Sequence, residues 1–273
     1  MERIWCCTVC GYQHHGEQPP QSCPICHVGA DKFEPLAQPA AAPKGNKKDI
    51  LEKAAIVQRD RQTFAITPHT PAVLVSSNTL RTIAAVADKY QVEKIKLSSA
   101  QRLVLIGLQE EDIENAWADL GEPMGQAGAL CVRSIKICPG TDCCKRGLQD
   151  SVKIGLELDR RYHGLKLPWK MKMGVSGCPN DCAETCIKDI GLIGSPRGWH
   201  LTIGGNGGSQ PRLSQRLLEH IPNEQQALAA IENLINWFAA QQRKCRFGKL
   251  VQEIGLDQLR EIALGQQTSQ RQE

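Results

Sequence analysis

Aromatic residues are scarce in this chain. Phenylalanine, tryptophan and tyrosine together make up 4% of its 273 residues, which leaves little material for a base-stacking surface. Charge of one sign is lacking too: 33 Lys and Arg stand against 29 Asp and Glu, for a formal net charge of +4. The basic residues are spread along the chain, so composition gives no reason to expect nucleic acid as a partner. No apolar run approaches the roughly 20 residues of a membrane span. The opening Met-Glu-Arg-Ile-Trp-Cys-Cys has no apolar signal core, and the expectation is a cytoplasmic protein without membrane association. Cysteine, by contrast, is abundant, with 13 in the chain. An odd number, in C-x2-C, C-x5-C and C-x3-C spacings, suits metal thiolates better than a disulfide framework.

Residues 5–36 hold two C-x2-C turns about a dozen residues apart, the pattern of a tetrahedral four-sulfur site. Cys6 and Cys7 both precede Cys10, but only Cys7 has the spacing that mirrors Cys23 and Cys26, so the set is Cys7, Cys10, Cys23 and Cys26. So short a segment buries too little to fold alone, and the metal must supply the folding energy. From 37 to 49 the chain is rich in Pro and Ala with a basic end, an extended linker.

Between 50 and 125 the pattern reads β-α-β-β-α: a strand ending at Pro68, then a helix from Thr79 to Tyr90 capped by Ser77 or Asn78. A half-buried strand at 94–98, a more buried one from Arg102, and a helix after Glu110, Glu111 and Asp112 complete it. This is a small open sheet with helices on one face.

Two further cysteine groups follow, Cys138-Pro-Gly-Thr-Asp-Cys143-Cys144 and Gly177-Cys178-Pro-Asn-Asp-Cys182. Each follows a strand, and the second loop is expected to open a helix. Four thiolates in two clusters are what a cubane iron–sulfur cluster needs, one for each iron. Glycine and proline bend both loops tightly, so that amides can point at sulfur. Lys170 and Lys172 fall on one strand face, which suits an anion site or the protection of an edge strand. One apolar-striped helix is expected over 223–242 and a second through Phe247, Leu250, Ile254, Leu256 and Leu259, with a frayed tail from Gln266.

The N-terminal segment, with Cys-Gly-Tyr after its first turn and Cys-Pro-x-Cys as its second, resembles rubredoxin, particularly the compact type attached to rubrerythrins. That resemblance implies one iron and a one-electron carrier; a structural zinc ribbon uses the same ligands. The rest, through Cys138-x5-Cys144, Leu-Pro-x-Lys-x-Lys, Gly-x-Ser-Gly-Cys-Pro-Asn-x-Cys-Ala-Glu, Asp189-Ile-Gly-Leu-Ile-Gly and Gly204-Gly-Asn-Gly-Gly208, resembles the siroheme-containing sulfite and nitrite reductases. It is most similar to the siroheme domain of pyridine-nucleotide nitrite reductases and to the small single-repeat sulfite reductases. The resemblance implies an α/β (α+β) chain: a rubredoxin-like knuckle over 1–36, the 37–49 linker and a ferredoxin-like half domain over 50–125. A siroheme and 4Fe-4S domain over 126–242 and a C-terminal helix and tail over 243–273 complete it.

It further implies that Cys138, Cys144, Cys178 and Cys182 hold a [4Fe-4S] cluster, with Cys182 also bridging to siroheme iron. Spacing favours Cys144 over its neighbour Cys143. Asn180 and the turn of Gly204, Gly205, Asn206 and Gly207 would lie against the macrocycle, while Arg102, Arg133, Lys170 and Lys172 face its carboxylates or the substrate anion. Larger relatives contain two fused repeats and this chain one, so a homodimer is expected to restore the two-fold arrangement. The activity implied is six-electron reduction of sulfite or nitrite, with electrons from an external donor protein. The other reading is an electron-transfer or scaffold subunit that binds a cluster without siroheme catalysis. Lys170, Lys172 and the glycine–asparagine turn argue against it, because a pure carrier needs no anion pocket.

Overall fold

A computed structural model describes residues 3–35, 45–126 and 128–266. Most of the expected 37–49 linker and the expected frayed tail lie outside these. The chain divides into two units, one of Met1–Asn46 with Arg59–Arg61 and one of the remainder.

In the first unit, strands β1 (Arg3–Cys7), β2 (Gln13–Gly16) and β3 (Phe33–Pro35) form an antiparallel sheet in the order β2-β1-β3. Among the described residues its core is Cys7, Cys23 and Phe33, with Trp5, Tyr12, Cys26 and Val28 packed around them. That is too little apolar surface to fold on, as the sequence implies.

The second unit has two sheets. The first contains β4 (Ile56–Val57), β5 (Phe64–Ile66), β6 (Lys94–Ser98) and β7 (Arg102–Leu108), antiparallel in the order β4-β5-β7-β6. Helices α1 (Ser77–Lys89) and α2 (Ile113–Leu120) complete its core around Phe64, Ile66, Leu105 and Leu108. Helix α1 starts two residues earlier than expected, because the Ser76 hydroxyl is the cap and accepts the Thr79 N–H at 3.0 Å. Strand β6, expected to be half-buried, is exposed at its apolar positions, Ile95 at 44% and Leu97 at 72%. It lies at the sheet edge, where no helix covers that alternation.

The second sheet has the order β12-β11-β10-β9-β8. Strands β8 (Val132–Ile137), β9 (Met171–Ser176) and β10 (Ile190–Ser195) run parallel, while β11 (Gly198–Ile203) and β12 (Gln215–Ile221) return antiparallel. All six residues of β11 are buried. A one-turn helix, α3 (Gly140–Cys143), and α4 (Ser151–Tyr162) separate β8 from β9. After β12 comes α5 (Glu224–Ala239), whose Leu228, Ile231, Leu234, Ile235 and Phe238 are buried on one stripe. The last expected helix is two, α6 (Phe247–Ile254) and α7 (Leu256–Ala263). Gly255, at φ +88 and ψ 162, breaks the helical path between them. Among the described residues no helix is long and apolar enough to cross a membrane.

Candidate active site

Strand β8 ends at Ile137 and passes Cys138 into the first cysteine loop; β9 ends at Ser176 and passes Cys178 into the second. The two loops meet backbone to backbone. Gly140 holds φ +52, and a Cβ on Gly177 would lie 2.7 Å from both Gly140 Cα and Gln149 O. No side chain fits there. The Leu148 and Gln149 N–H groups both donate to Gly177 O, at 2.9 and 3.0 Å, and the Gly177 N–H donates to Cys138 Sγ at 3.1 Å. An amide aimed at sulfur offsets thiolate charge. Cys138 and Cys178 are buried, whereas Cys144, Cys182 and the neighbouring Cys143 are exposed.

The helix expected after the second loop does not form. Asp181, at φ +49, takes the amides that a helix would use. Its Oδ1 accepts Thr185 N–H at 2.8 Å and Ser176 Oγ–H at 2.9 Å, and its Oδ2 accepts Cys186 N–H at 3.0 Å. Burial opposes the charge, but these hydrogen bonds outweigh it and hold the Asp181 carboxyl below its ordinary value. The chain continues as a turn through Glu184, at φ +55, to Ile187 and Lys188.

That turn lines a cavity of about 180 Å³ whose wall carries five cations: Lys136, Lys170, Lys172, Lys188 and Arg246. Among the described residues Glu184 is its one lining carboxylate, accepting from Lys136 at 2.9 Å and Lys188 at 3.1 Å. Arg246 is held by a two-pronged pair to the fully buried Asp189, at 3.0 and 2.9 Å. Burial pushes the Asp189 carboxyl up, against which Arg246 and the Lys172 amide act. Among the described residues neither Lys170 nor Lys172 forms an ion pair with a carboxylate. Burial first, then Arg246, Arg102, Lys170 and Lys188, push Lys172 below the ordinary lysine value. Asn206, Gly207 and Gly208 line the same cavity. Gly205 packs behind it, where a Cβ would lie 2.5 Å from Lys188 O, and Gly204 rests on Val251.

Of the predicted residues, the structure thus brings together Lys170, Lys172, Asn206 and Gly207. Asn180 is exposed and does not line the cavity. Arg102 and Arg133 line a separate chamber, their guanidinium groups turned to backbone carbonyls. Arg102 Nη2 donates to Arg133 O and, at 3.3 Å, to Gln126 O; Arg133 donates to Ala129 O at 2.8 Å and Gly128 O at 2.6 Å. Sequence reasoning missed Lys136, Lys188 and Arg246. Lys136 shares the alternation of β8 with Ser134, and Lys188 stands beside the Asp189 motif. Arg246 has no local signal at all.

In the N-terminal unit the Sγ atoms of Cys7, Cys10, Cys23 and Cys26 all lie within 4.8 Å of one another, and no other such group occurs among the described residues. Burial raises the Cys23 thiol, but the amides of Cys26 and Ile25 and the Cys10 thiol bring it down to about 7. Despite the Tyr12 amide, Cys10 is pushed up to about 12 by burial and by the three thiols beside it. Four thiols this close cannot all ionise without a cation, and a bound metal supplies one. Cys138, Cys144, Cys178 and Cys182 form no such close group among the described residues, and a four-iron cluster, being larger than one ion, does not call for one.

Residues 128–271 match the family described as the nitrite and sulphite reductase 4Fe-4S domain, residues 56–123 the nitrite/sulfite reductase ferredoxin-like half domain, and residues 5–34 the rubrerythrin rubredoxin-like domain. Over 214 residues the chain is 39% identical to the assimilatory-type sulfite reductase of Nitratidesulfovibrio vulgaris, covering 78% of this chain and 98% of that protein. Over 212 residues it is 35% identical to the NAD(P)H nitrite reductase of Bacillus subtilis, covering 77% of this chain but only 26% of that much longer protein. The solved NirA protein of Mycobacterium tuberculosis shares the fold, with a TM-score of 0.63 at 21% identity over 74% of this chain and 39% of that one.

Proposed function

The chain belongs to the nitrite and sulphite reductase family of oxidoreductases, and from that membership we propose that it reduces sulfite to sulfide by six electrons, with its rubredoxin-like iron site relaying electrons from an external donor protein. The observation that carries this reading is the continuity of the second cysteine loop with the five-cation cavity: past Cys182 the same turn supplies Glu184, Ile187 and Lys188 to its wall. Sulfite is placed before nitrite because nearly the whole length of a sulfite reductase is matched, against a quarter of the nitrite reductase.

The cluster is assigned to Cys138, Cys144, Cys178 and Cys182, and siroheme to Cys182, Asn180 and the turn of Gly204, Gly205, Asn206 and Gly207. The donor chemistry fits. At about 180 Å³ the cavity is below the ~300–1,000 Å³ of a pocket that encloses a large ligand. It suits an oxyanion whole, or the carboxylate edge of a macrocycle. The two cofactors supply the electron transfer, which no side chain present can perform.

The protein's part is charge and position. Lys170 and Lys172, which form no ion pair among the described residues, attract the oxyanion and donate hydrogen bonds to its oxygens, most strongly as negative charge develops on them. Arg102 and Arg133, occupied by carbonyls, act through their charge. A homodimer belongs to the same proposal, as the way a single repeat regains two-fold symmetry.

The test is the optical spectrum and metal count of anaerobically purified protein, followed by turnover with sulfite and with nitrite. The expected result is siroheme absorption with about five non-haem irons per chain, four in the cluster and one in the knuckle, and faster turnover of sulfite. Protein from siroheme-producing cells that lacks siroheme would refute the catalytic reading. Deleting residues 1–49 is expected to slow reduction of the siroheme core by the donor; equal speed would refute the relay.

A further inference from the structure

His69, Asp159 and His163 form a cluster that the proposed function leaves unused. His69 Nε2 lies 2.7 Å from Asp159 Oδ2, and the two histidine rings stack with centroids 3.5 Å apart and planes within 12° of parallel. Asp159 is buried, whereas the His69 side chain keeps 18% of its surface in solvent. Burial, followed by the charges of His69 and Arg102 and opposed by Asp159, pushes His163 down to about 4. The stacked neighbour is therefore disfavoured as a cation beside the His69–Asp159 contact.

Asp159 and His69 open onto a chamber of about 20 Å³ that Thr70, Arg102, Arg133 and Ser134 also line. That is room for about one water. The Thr70 hydroxyl is buried with no hydrogen-bond partner among the described residues, a polar group that such a water would satisfy. Ser134 and Ala100 line this chamber and the lysine cavity alike, so the two share a wall. The titratable and charged groups around the pair are His163, held uncharged on the stack, and Arg102 and Arg133 across the chamber.

We propose that His69 and Asp159 are positioning residues of a proton-delivery route that runs from solvent, through the chamber beside Thr70 and Ser134, to the oxyanion held in the lysine cavity. The proposal rests on the reductase reading above. Reducing a sulfite dianion to hydrogen sulfide consumes six electrons and eight protons and releases three waters. The electrons come from the one-electron donor protein and the protons from solvent. In each passage the His69 N–H gives its proton to Asp159 Oδ2. Asp159 passes a proton through the chamber water and the Ser134 hydroxyl to the oxygen that leaves as water, and His69 takes a new proton from solvent.

The experiment uses the full-length holoenzyme with His69→Gln, Asp159→Asn and Thr70→Val. It measures sulfite affinity by spectral titration, thermal unfolding, the pH profile of kcat, and proton uptake with an indicator dye after rapid reduction. His69→Gln and Asp159→Asn are expected to lower kcat by about 100-fold, within the usual range for a proton-transfer group. Proton uptake should slow in step, the pH profile should change shape, and sulfite affinity should be unaltered. Thr70→Val, the least disruptive change, should slow proton uptake by a smaller factor. Wild-type kcat and uptake in a folded Thr70→Val and His69→Gln would overturn the route. So would sulfite affinity and thermal stability falling in step with kcat, since that marks a structural role. Absence of turnover in the unaltered protein would overturn the reductase reading, and this route with it.

Discussion

The Gln101 side chain pairs with the backbone of Ile137 as a neighbouring strand would: its Nε2 donates to Ile137 O and its Oε1 accepts the Ile137 N–H, both at 2.9 Å. Ile137 ends β8, and Cys138 follows at once. The turn between β6 and β7 thereby holds the strand that delivers Cys138 to the first cysteine loop. Gln101→Ala leaves both Ile137 groups unpaired, at a cost of about 1–3 kcal/mol. The expected outcome is a lower unfolding free energy in denaturant and faster bleaching of cluster absorbance in air.

Gly177 is constrained by the opposite loop, since a Cβ would meet Gly140 Cα and Gln149 O at 2.7 Å. Neither atom belongs to a flexible side chain, so Gly177→Ala must push the cysteine loops apart. It is expected to yield folded protein with little four-iron cluster. Gly208→Ala, whose nearest neighbour is the Asn206 side chain at 3.2 Å, should retain its iron. Iron counts and circular dichroism on the two variants check this.

The metal site of the knuckle is legible in the sequence because ligand spacing is local: Cys7 and Cys10, and Cys23 and Cys26, are each tied by a few residues of chain. The cavity is less legible. Arg246 meets Asp189 across a separation of 57 residues, and no periodicity near Arg246 announces the pairing. Strand β6 misleads because alternation marks two faces without saying whether anything covers one of them. The turn after Cys182 misleads because Asp181 uses a side chain to satisfy amides that a helix pattern assigns to the backbone. Local rules carry the elements, then, and side chains that replace backbone partners escape them.

Lys172 gives a pH dependence with two opposite signs. Its folded value is depressed by burial and by Arg246, Arg102, Lys170 and Lys188. The charged form that binds an oxyanion is therefore lost at a lower pH than for a free lysine, and anion affinity should fall as pH rises through the folded value. Between that value and the ordinary lysine value of about 10.4, the unfolded chain holds a proton that the native chain does not. Stability should rise with pH across that window. Lys172→Met should remove both trends. Sulfite titrations and denaturant unfolding at a series of alkaline pH values measure them.

The knuckle depends on its metal for folding. With Cys7, Cys23 and Phe33 as the core among its described residues, metal binding must supply most of its stability. Cys23→Ser, or a strong chelator, is expected to unfold the first unit and leave the second unit's unfolding transition in place. Loss of protection against protease near Trp5, with unchanged helical circular dichroism, is the result to look for. A knuckle that resists protease without metal would contradict this account.

Glu184 is the carboxylate that the cavity uses to quiet its own lysines. Lys136 and then Lys188 hold it below the ordinary carboxylate value, burial opposing them. A depressed carboxylate contributes stability above its unfolded value and loses that contribution as pH falls through its folded value. Its side chain is 46% exposed, so solvent screening keeps the contribution small. Its effect on binding is larger, because Lys136 and Lys188 are 14% and 11% exposed and their charges are poorly screened. Glu184→Gln frees both for an incoming oxyanion. The expected outcome is several-fold tighter sulfite binding with a steeper dependence on salt, and slower release of product if the anion lingers. Titration at two ionic strengths distinguishes this from a general loosening of the turn, which would weaken binding at both.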